Sequence, residues 1–230
     1  MEEAGWRLSD PLIGREEVDT LLASLSSAVR SRAGARHLMA LPAVAALASD
    51  VRLLQLAGGR VPYRATLFDK SRAANWQVLW HQDTALPLER RFDAPGWGPW
   101  SVKAGVAYAH APTWALERIV ALRVHLDDAG ADNGPLRVLD GTHRLGVLSD
   151  EQVVEIVRDH EATEVRAARS TVMVMRPLLI HASSKAGGES PLIPWVEPEG
   201  DDPRNQVSRT TAADRPRRVL HIEYADRLDL

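Results

Sequence analysis

The stretch ERIVALRVHLDD, residues 117–128, alternates polar and apolar: Arg123 and His125 fall on one side of an extended chain, and Leu122, Val124 and Leu126 on the other. Side chains two residues apart in a strand point the same way, so this segment reads as a strand in a sheet packed on both faces. Four further runs have the same texture: VPYRATLFDK (61–70), GPLRVLDG (134–141), STVMVMRPLLIHAS (170–183) and RRVLHIEYA (217–225). They are short, rich in Val, Ile, Leu and aromatics, and bounded by Gly, Pro, Asn and Asp, and they read as strands. The first 58 residues differ. From Arg15 to Arg30, Val18, Leu21, Leu22, Leu25 and Val29 follow the three-and-four spacing of a helix face. The segment 35–59 carries Pro42 at a helix start or kink and ends on Gly58-Gly59, a C-cap signal. One more helix follows Ser149, whose spacing to Gln152 is that of a capping box. Helices first and strands later, with few crossovers, predict a mainly β chain with flanking helices (α+β), its strands in an antiparallel barrel or sandwich.

Composition narrows the function. The 230 residues are 45% hydrophobic and 26% charged, ordinary for a globular protein, and that length suits one domain over 1–230. With a formal net charge of −3 and scattered Lys and Arg, the chain offers nucleic acid no basic stripe. The acidic start, MEEAGWRLSD, is unlike a signal peptide, and no apolar run reaches ~18 residues. These features predict a cytoplasmic protein with neither a membrane nor a nucleic-acid partner; its oligomeric state is left open. The sequence has no cysteine, so thiolate catalysis, disulfides and zinc-thiolate sites are excluded, and any metal is held by His, Asp, Glu and water.

With 8 His and 31 acidic residues, a His-x-acid pair is expected about once by chance, and three occur: His81/Asp83, His125/Asp127 and His221/Glu223. Each pair shares one face of an extended chain. Asp127 opens a run of turn formers and is expected to face water; His221 and Glu223 have no evident third ligand. His81 and Asp83 sit where a strand runs into a long stretch, 84–104, that holds Trp97 and Trp100 and reads as a loop covering a site. A second long loop is expected at 185–216. His181 closes the apolar run TVMVMRPLLIH and is followed by small residues, so it is available as a third ligand. Two imidazoles and one carboxylate form a facial triad for Fe(II), while a buried His hydrogen-bonded to a carboxylate explains the same residues.

The motifs NWQVLWHQDTA (75–85), RVHLDDAGADNGPLRVLDGTHRLG (123–146), STVMVMRPLLIHASS (170–184) and RPRRVLHIEYA (215–225) together resemble the phytanoyl-CoA dioxygenase-like family of Fe(II)/2-oxoglutarate oxygenases. The likeness spans residues 60–225, in the family's order. It implies a double-stranded β-helix (jelly-roll, cupin-like) core at 60–225, with His81, Asp83 and His181 as iron ligands. It also implies that Arg217 holds the distal carboxylate of 2-oxoglutarate, since a planar guanidinium pairs bidentately with a carboxylate. Arg218 is expected on the opposite face. Arg123, Gln77 and Lys70 are further candidates for the cosubstrate, although a buried Arg123 paired with Glu223 or Asp83 and a surface Lys70–Asp69 pair explain two of them equally well.

By that resemblance the protein is an oxygenase that uses Fe(II), 2-oxoglutarate and O₂ to hydroxylate a fairly apolar small molecule, releasing succinate and CO₂. Desaturation, epoxidation and rearrangement use the same ligands. Two other classes fit the residues alone: a metal-binding β-barrel acting as a hydrolase or isomerase, and a catalytically silent family member.

Overall fold

The computed structural model describes residues 3–28, 34–71, 74–103, 105–187 and 215–226. In chain order, β1 (Trp6–Leu8) precedes helix α1 (Arg15–Leu25), β2 (Gly34–Ala35), and helices α2 (Pro42–Ala48) and α3 (Val51–Leu56). The strands β3 (Val61–Lys70), β4 (Val78–His81), β5 (Ala85–Leu88), β6 (Trp100–Lys103) and β7 (Val106–His110) follow. After the short α4 (Thr113–Leu116) come β8 (Ile119–His125), β9 (Leu136–Val138) and α5 (Asp150–Asp159). The chain closes with β10 (Thr163–Val165), β11 (Val172–Met175), β12 (His181–Ser183) and β13 (Arg217–Ala225).

These strands make three antiparallel sheets, ordered β1-β11-β8-β13-β3-β2, β10-β9-β12-β4 and β5-β7-β6. Two-residue alternation organises the six-stranded sheet. Leu122, Val124, Val174, Leu220 and Ile222 turn to one face, where they pack with Val18, Leu25, Val44 and Leu53 of the helices. On the other face Ala121, Met173 and Met175 meet Leu136 and Val138 of the four-stranded sheet. Two sheets stacked face to face make the jelly-roll core of a double-stranded β-helix. The three-stranded sheet packs through Leu86 on Leu116, Ile119 and Leu178. Tyr224, fully buried, donates its hydroxyl to Ala48 O at 3.0 Å and so ties β13 to α2.

Local chemistry explains the helix ends. Pro42 opens α2, where its missing N–H costs nothing. The Asp50 side chain accepts from the Arg52 N–H and starts a separate α3, so the segment expected as one kinked helix is two. Gly58 and Gly59, at φ 68° and 77°, end α3 as the Gly pair predicted. The Ser149–Gln152 capping box is formed. The last residues of the predicted first helix, 29–30, and residues 188–214 of the predicted 185–216 loop lie outside the described residues.

Two expectations are corrected. Residues 84–104, read as a loop, contain β5 and β6, each paired with β7; Pro87 and Pro99 dilute the strand signal there. The run 171–181, read as one strand closed by His181, breaks at Arg176-Pro177, where the Leu179 N–H turns back to Arg176 O at 3.1 Å. Its halves join different sheets, so His181 begins β12 rather than ending β11.

Burying a leucine side chain contributes roughly 1.5–3 kcal/mol, and the helix-facing layer is built of them. Leu122→Ala, at a site with no exposure, is expected to lower unfolding free energy by about 2–5 kcal/mol in urea denaturation. Leu79→Ala, 62% exposed, should stay within about 0.5 kcal/mol of the unaltered protein. Equal effects would contradict this layering.

Candidate active site

β12 pairs antiparallel with β4, and the register sets His181 directly opposite His81. Their rings lie 4.3 Å apart between centroids, tilted by 49°. Asp83 follows two residues after His81, its backbone N–H held by Pro177 O at 2.9 Å. Its carboxylate oxygens stand 3.7 Å from His81 Nε2 and 3.6 Å from His181 Nε2. One ligand atom from each residue lies within 4.8 Å of the others, a spacing that could hold a metal ion. Each ring is oriented by the carbonyl two residues before it: His81 Nδ1–H donates to Leu79 O at 2.8 Å and His181 Nδ1–H to Leu179 O at 2.9 Å. That assigns the proton to Nδ1 and leaves both Nε2 lone pairs facing Asp83. Gln82, between the two, turns the other way. Its amide donates to Gly146 O and Leu178 O and accepts from the Leu148 N–H, anchoring the turn.

The charges are arranged accordingly. Burial acts to raise the pKa of Asp83, but the neighbouring imidazoles, His181 foremost, hold it well below the usual carboxylate range. Burial, with His81 alongside, pushes His181 down to about 4, so this ring is neutral at pH 7. At His81 burial acts downward too, but the adjacent Asp83 outweighs it and the pKa is raised. An ionised carboxylate with two imidazoles is the donor set of a facial Fe(II) site, with further coordination positions left for other ligands.

His81 and Asp83 line two cavities. The narrower, about 60 Å³, is bounded by Phe68, Trp76, Val78, Leu136, His181 and Ser183, with Arg123 and Arg217 in its wall. The wider, about 330 Å³, extends along Thr66, Thr84, Tyr108, His110 and His221.

The inner face of the six-stranded sheet gives the narrow cavity an unusual charge. Arg217, Arg123 and Lys70 are buried, at 2%, 5% and 1% exposure. Arg217 Nε donates to Asn133 O at 3.3 Å. Lys70 donates to Ser183 Oγ at 3.2 Å and to Ser184 O, and lies 5.1 Å from the Trp76 ring centre. Arg123 contacts His221 Nδ1 at 3.3 Å, and its buried Nε has no partner. Among the described residues no carboxylate forms an ion pair with any of these three cations. Burial, reinforced by mutual repulsion, pushes Lys70 down to about 7 and Arg217 to about 9. Burial lowers Arg123 to about 10. Asp83 lines the same cavity and acts on Arg123 from beyond ion-pair distance; buried cations without a carboxylate in contact are costly, and a small dianion such as 2-oxoglutarate fits both their charge and the unpartnered Arg123 Nε.

Of the residues singled out in the sequence, His81, Asp83 and His181 are brought together, Arg217 and Arg123 line the narrow cavity, and Lys70 lies against it. Lys70 is therefore no surface partner of Asp69. Gln77 is not brought in: it is exposed, in the segment before β4, outside the lining of either cavity. Arg218 turns away from Arg217 and binds Asp127 at 2.7 and 2.8 Å, so Asp127 holds an arginine instead of facing water. Glu223 pairs with Arg64 rather than with Arg123. Phe68 was not anticipated in the wall. Phe68 could have been found, since it shares a strand face with Lys70 two residues on.

Lys70 has a folded pKa below its unfolded value, so the unfolded chain binds more protons between pH 7 and 10 and stability rises with pH across that window. Lys70→Met is expected to remove this slope and to stabilise the ligand-free protein by roughly 3 kcal/mol at pH 8. Urea unfolding across pH 7–9, below the range where Arg217 adds its own slope, measures it, and an unchanged slope would place the ammonium in water.

The sequence matches the family described as Phytanoyl-CoA dioxygenase (PhyH) over residues 10–190. No curated protein matches it. Among solved structures, EctD from S. alaskensis superposes with a TM-score of 0.63 at 19% identity, over 97% of this chain and 73% of that one. SnoN, a non-heme alpha ketoglutarate dependent epimerase from nogalamycin biosynthesis, gives 0.61 at 14% identity, over 97% and 78%. HygX from Streptomyces hygroscopicus gives 0.60 at 16% identity, over 97% and 82%. These likenesses concern the fold; the match over most of the chain's length places the protein in the phytanoyl-CoA dioxygenase family, a family of Fe(II)/2-oxoglutarate-dependent oxygenases.

Proposed function

We propose that the protein hydroxylates a small molecule, with iron held by His81, Asp83 and His181 and the distal carboxylate of 2-oxoglutarate in the narrow cavity. The observation that carries this reading is the joint one: a carboxylate and two imidazoles within 4.8 Å, and beside them three buried cations without a carboxylate partner among the described residues. A hydrolase or isomerase using the same ligands has no need of the cations, which favours the oxygenase. EctD has been solved with 2-oxoglutarate and 5-hydroxyectoine, and HygX with iron bound.

When bound, iron and 2-oxoglutarate supply the oxidation by O₂, with succinate and CO₂ as co-products. The chain's own part is positioning. The carbonyls of Leu79 and Leu179 hold the two ligand rings by their Nδ1 protons, so that neither ring can rotate its Nε2 away. Arg217 would take the distal carboxylate in a bidentate pair, and Arg123 and Lys70 would supply the remaining positive field. Phe68, Trp76 and Leu136 exclude water and strengthen these interactions. Asp83 would fill a coordination position that a halide would need, which disfavours halogenation. The substrate approaches from the wider cavity. The apolar character expected of it rested on the loop tryptophans, and these pack on other aromatic rings: Phe92 against Trp97 and Trp100, and Trp97 against Trp114. None lines the wider cavity.

Anaerobic titration of the Fe(II) protein with 2-oxoglutarate is expected to produce a metal-to-ligand charge-transfer band. Arg217→Lys should raise its half-saturation about tenfold or more, because an ammonium cannot form the bidentate pair, while Arg218→Lys stays within about twofold. His181→Ala should abolish the band. No band at saturating 2-oxoglutarate would end this reading in favour of a non-oxygenase metal site.

A further inference from the structure

The wider cavity has a chemistry of its own. Besides Arg64, which Glu223 already holds, its lining carries Arg36, Lys103, His110 and His221, and Asp83 is its one acidic residue. Asp83 faces the ligand imidazoles, so it does not neutralise the rim. The two remaining cations come from different sheets: Arg36 follows β2 of the six-stranded sheet, and Lys103 ends β6 of the three-stranded sheet. Among the described residues neither forms an ion pair. Lys103 is steered toward the cavity by Tyr108, a buried ring whose centre lies 5.2 Å from its Nζ. The wall also offers hydrogen-bonding groups, among them Thr66 and the Thr84 hydroxyl, which lies 2.7 Å from His110 Nδ1. A cleft walled by protein and rimmed by one sign of charge concentrates ions of the other sign.

We propose that the substrate of this site is a small hydrophilic molecule bearing a carboxylate or phosphate group, the anion bound between Lys103 and Arg36 and its hydroxyl or amide groups by Thr66, Thr84 and His110. Its remaining carbon framework then lies toward His81 and Asp83, where oxidation occurs. This proposal rests on the oxygenase reading for the reaction, but not for the binding. A volume of about 330 Å³ suits a molecule of sugar-acid or sugar-phosphate size.

Calorimetry on the Fe(II) protein, anaerobic and saturated with 2-oxoglutarate, tests it with three probes of one size: gluconate, glucose 6-phosphate and glucose. At low salt at least one anion is expected to bind about tenfold or more tighter than glucose. Lys103→Ala and Arg36→Ala should each weaken that anion about fivefold while leaving glucose unchanged, and added salt should do the same. Preference for gluconate would assign a carboxylate, and preference for glucose 6-phosphate a phosphate. Anions binding no better than glucose, or anion affinity indifferent to both variants, would overturn the proposal. The charge-transfer band of the unaltered protein, read in the same sample, reports separately on the iron and 2-oxoglutarate reading: its absence alongside charge-selective anion binding would fault that reading alone.

Discussion

The pairing of β12 with β4, which sets His181 opposite His81, is the constraint on which the rest of the site depends. The two residues are 100 positions apart in the chain, yet a backbone ladder fixes their separation without help from any side chain. Because a strand has a two-residue period, a slip of one position would send His181 to the opposite face. The register is protected on the far side by β9, which pairs His181 with Val138 and Ser183 with Leu136. Asp83 is then added by a turn, held by Pro177 O and by three hydrogen bonds of Gln82, so the carboxylate is placed by the segment that leads into His181.

The same two-residue period divides the six-stranded sheet into a face that stabilises and a face that works. Leu220 and Ile222 lie against the helices, while Arg217, His221 and Glu223 on the same strand face inward. Holding Arg217, Arg123 and Lys70 in the interior without a carboxylate in ion-pair contact is unfavourable, and the apolar layer behind them offsets it. In the proposed function that imbalance is relieved by a dianionic cosubstrate, so binding and stability are linked: a ligand that binds only the folded chain raises its stability by mass action.

Much of this was legible in the sequence because strand periodicity carries it. The alternation over 117–128 identified both faces of β8, and β3 and β13 were bounded to the residue at 61–70 and 217–225. The site was legible in outline. His81 and Asp83 are neighbours in the chain, and the strand-flanking place of His181 made it available, although its spatial meeting with them is a matter of register that no local pattern encodes. What was missed has physical reasons. Pro87 and Pro99 hide β5 and β6; Pro177 splits what reads as one apolar strand. Gln77 lies near the ligands in sequence but is exposed in the segment before β4. Lys70 reads as a surface residue beside Asp69 until β13 covers it through its pairing with Arg217. The tryptophans of 84–104 implied an apolar binding surface, whereas they contact other aromatic side chains.

The central claim is that two imidazoles from distant strands and one carboxylate meet on a single ion. X-ray absorption at the iron edge of the reconstituted Fe(II) protein measures this directly, since imidazole rings give a multiple-scattering signature that carboxylate and water do not. The account predicts two imidazoles in the first coordination shell of the unaltered protein and one after His181→Ala. A single imidazole before substitution, or two remaining after it, would contradict the meeting of β4 and β12 on the metal.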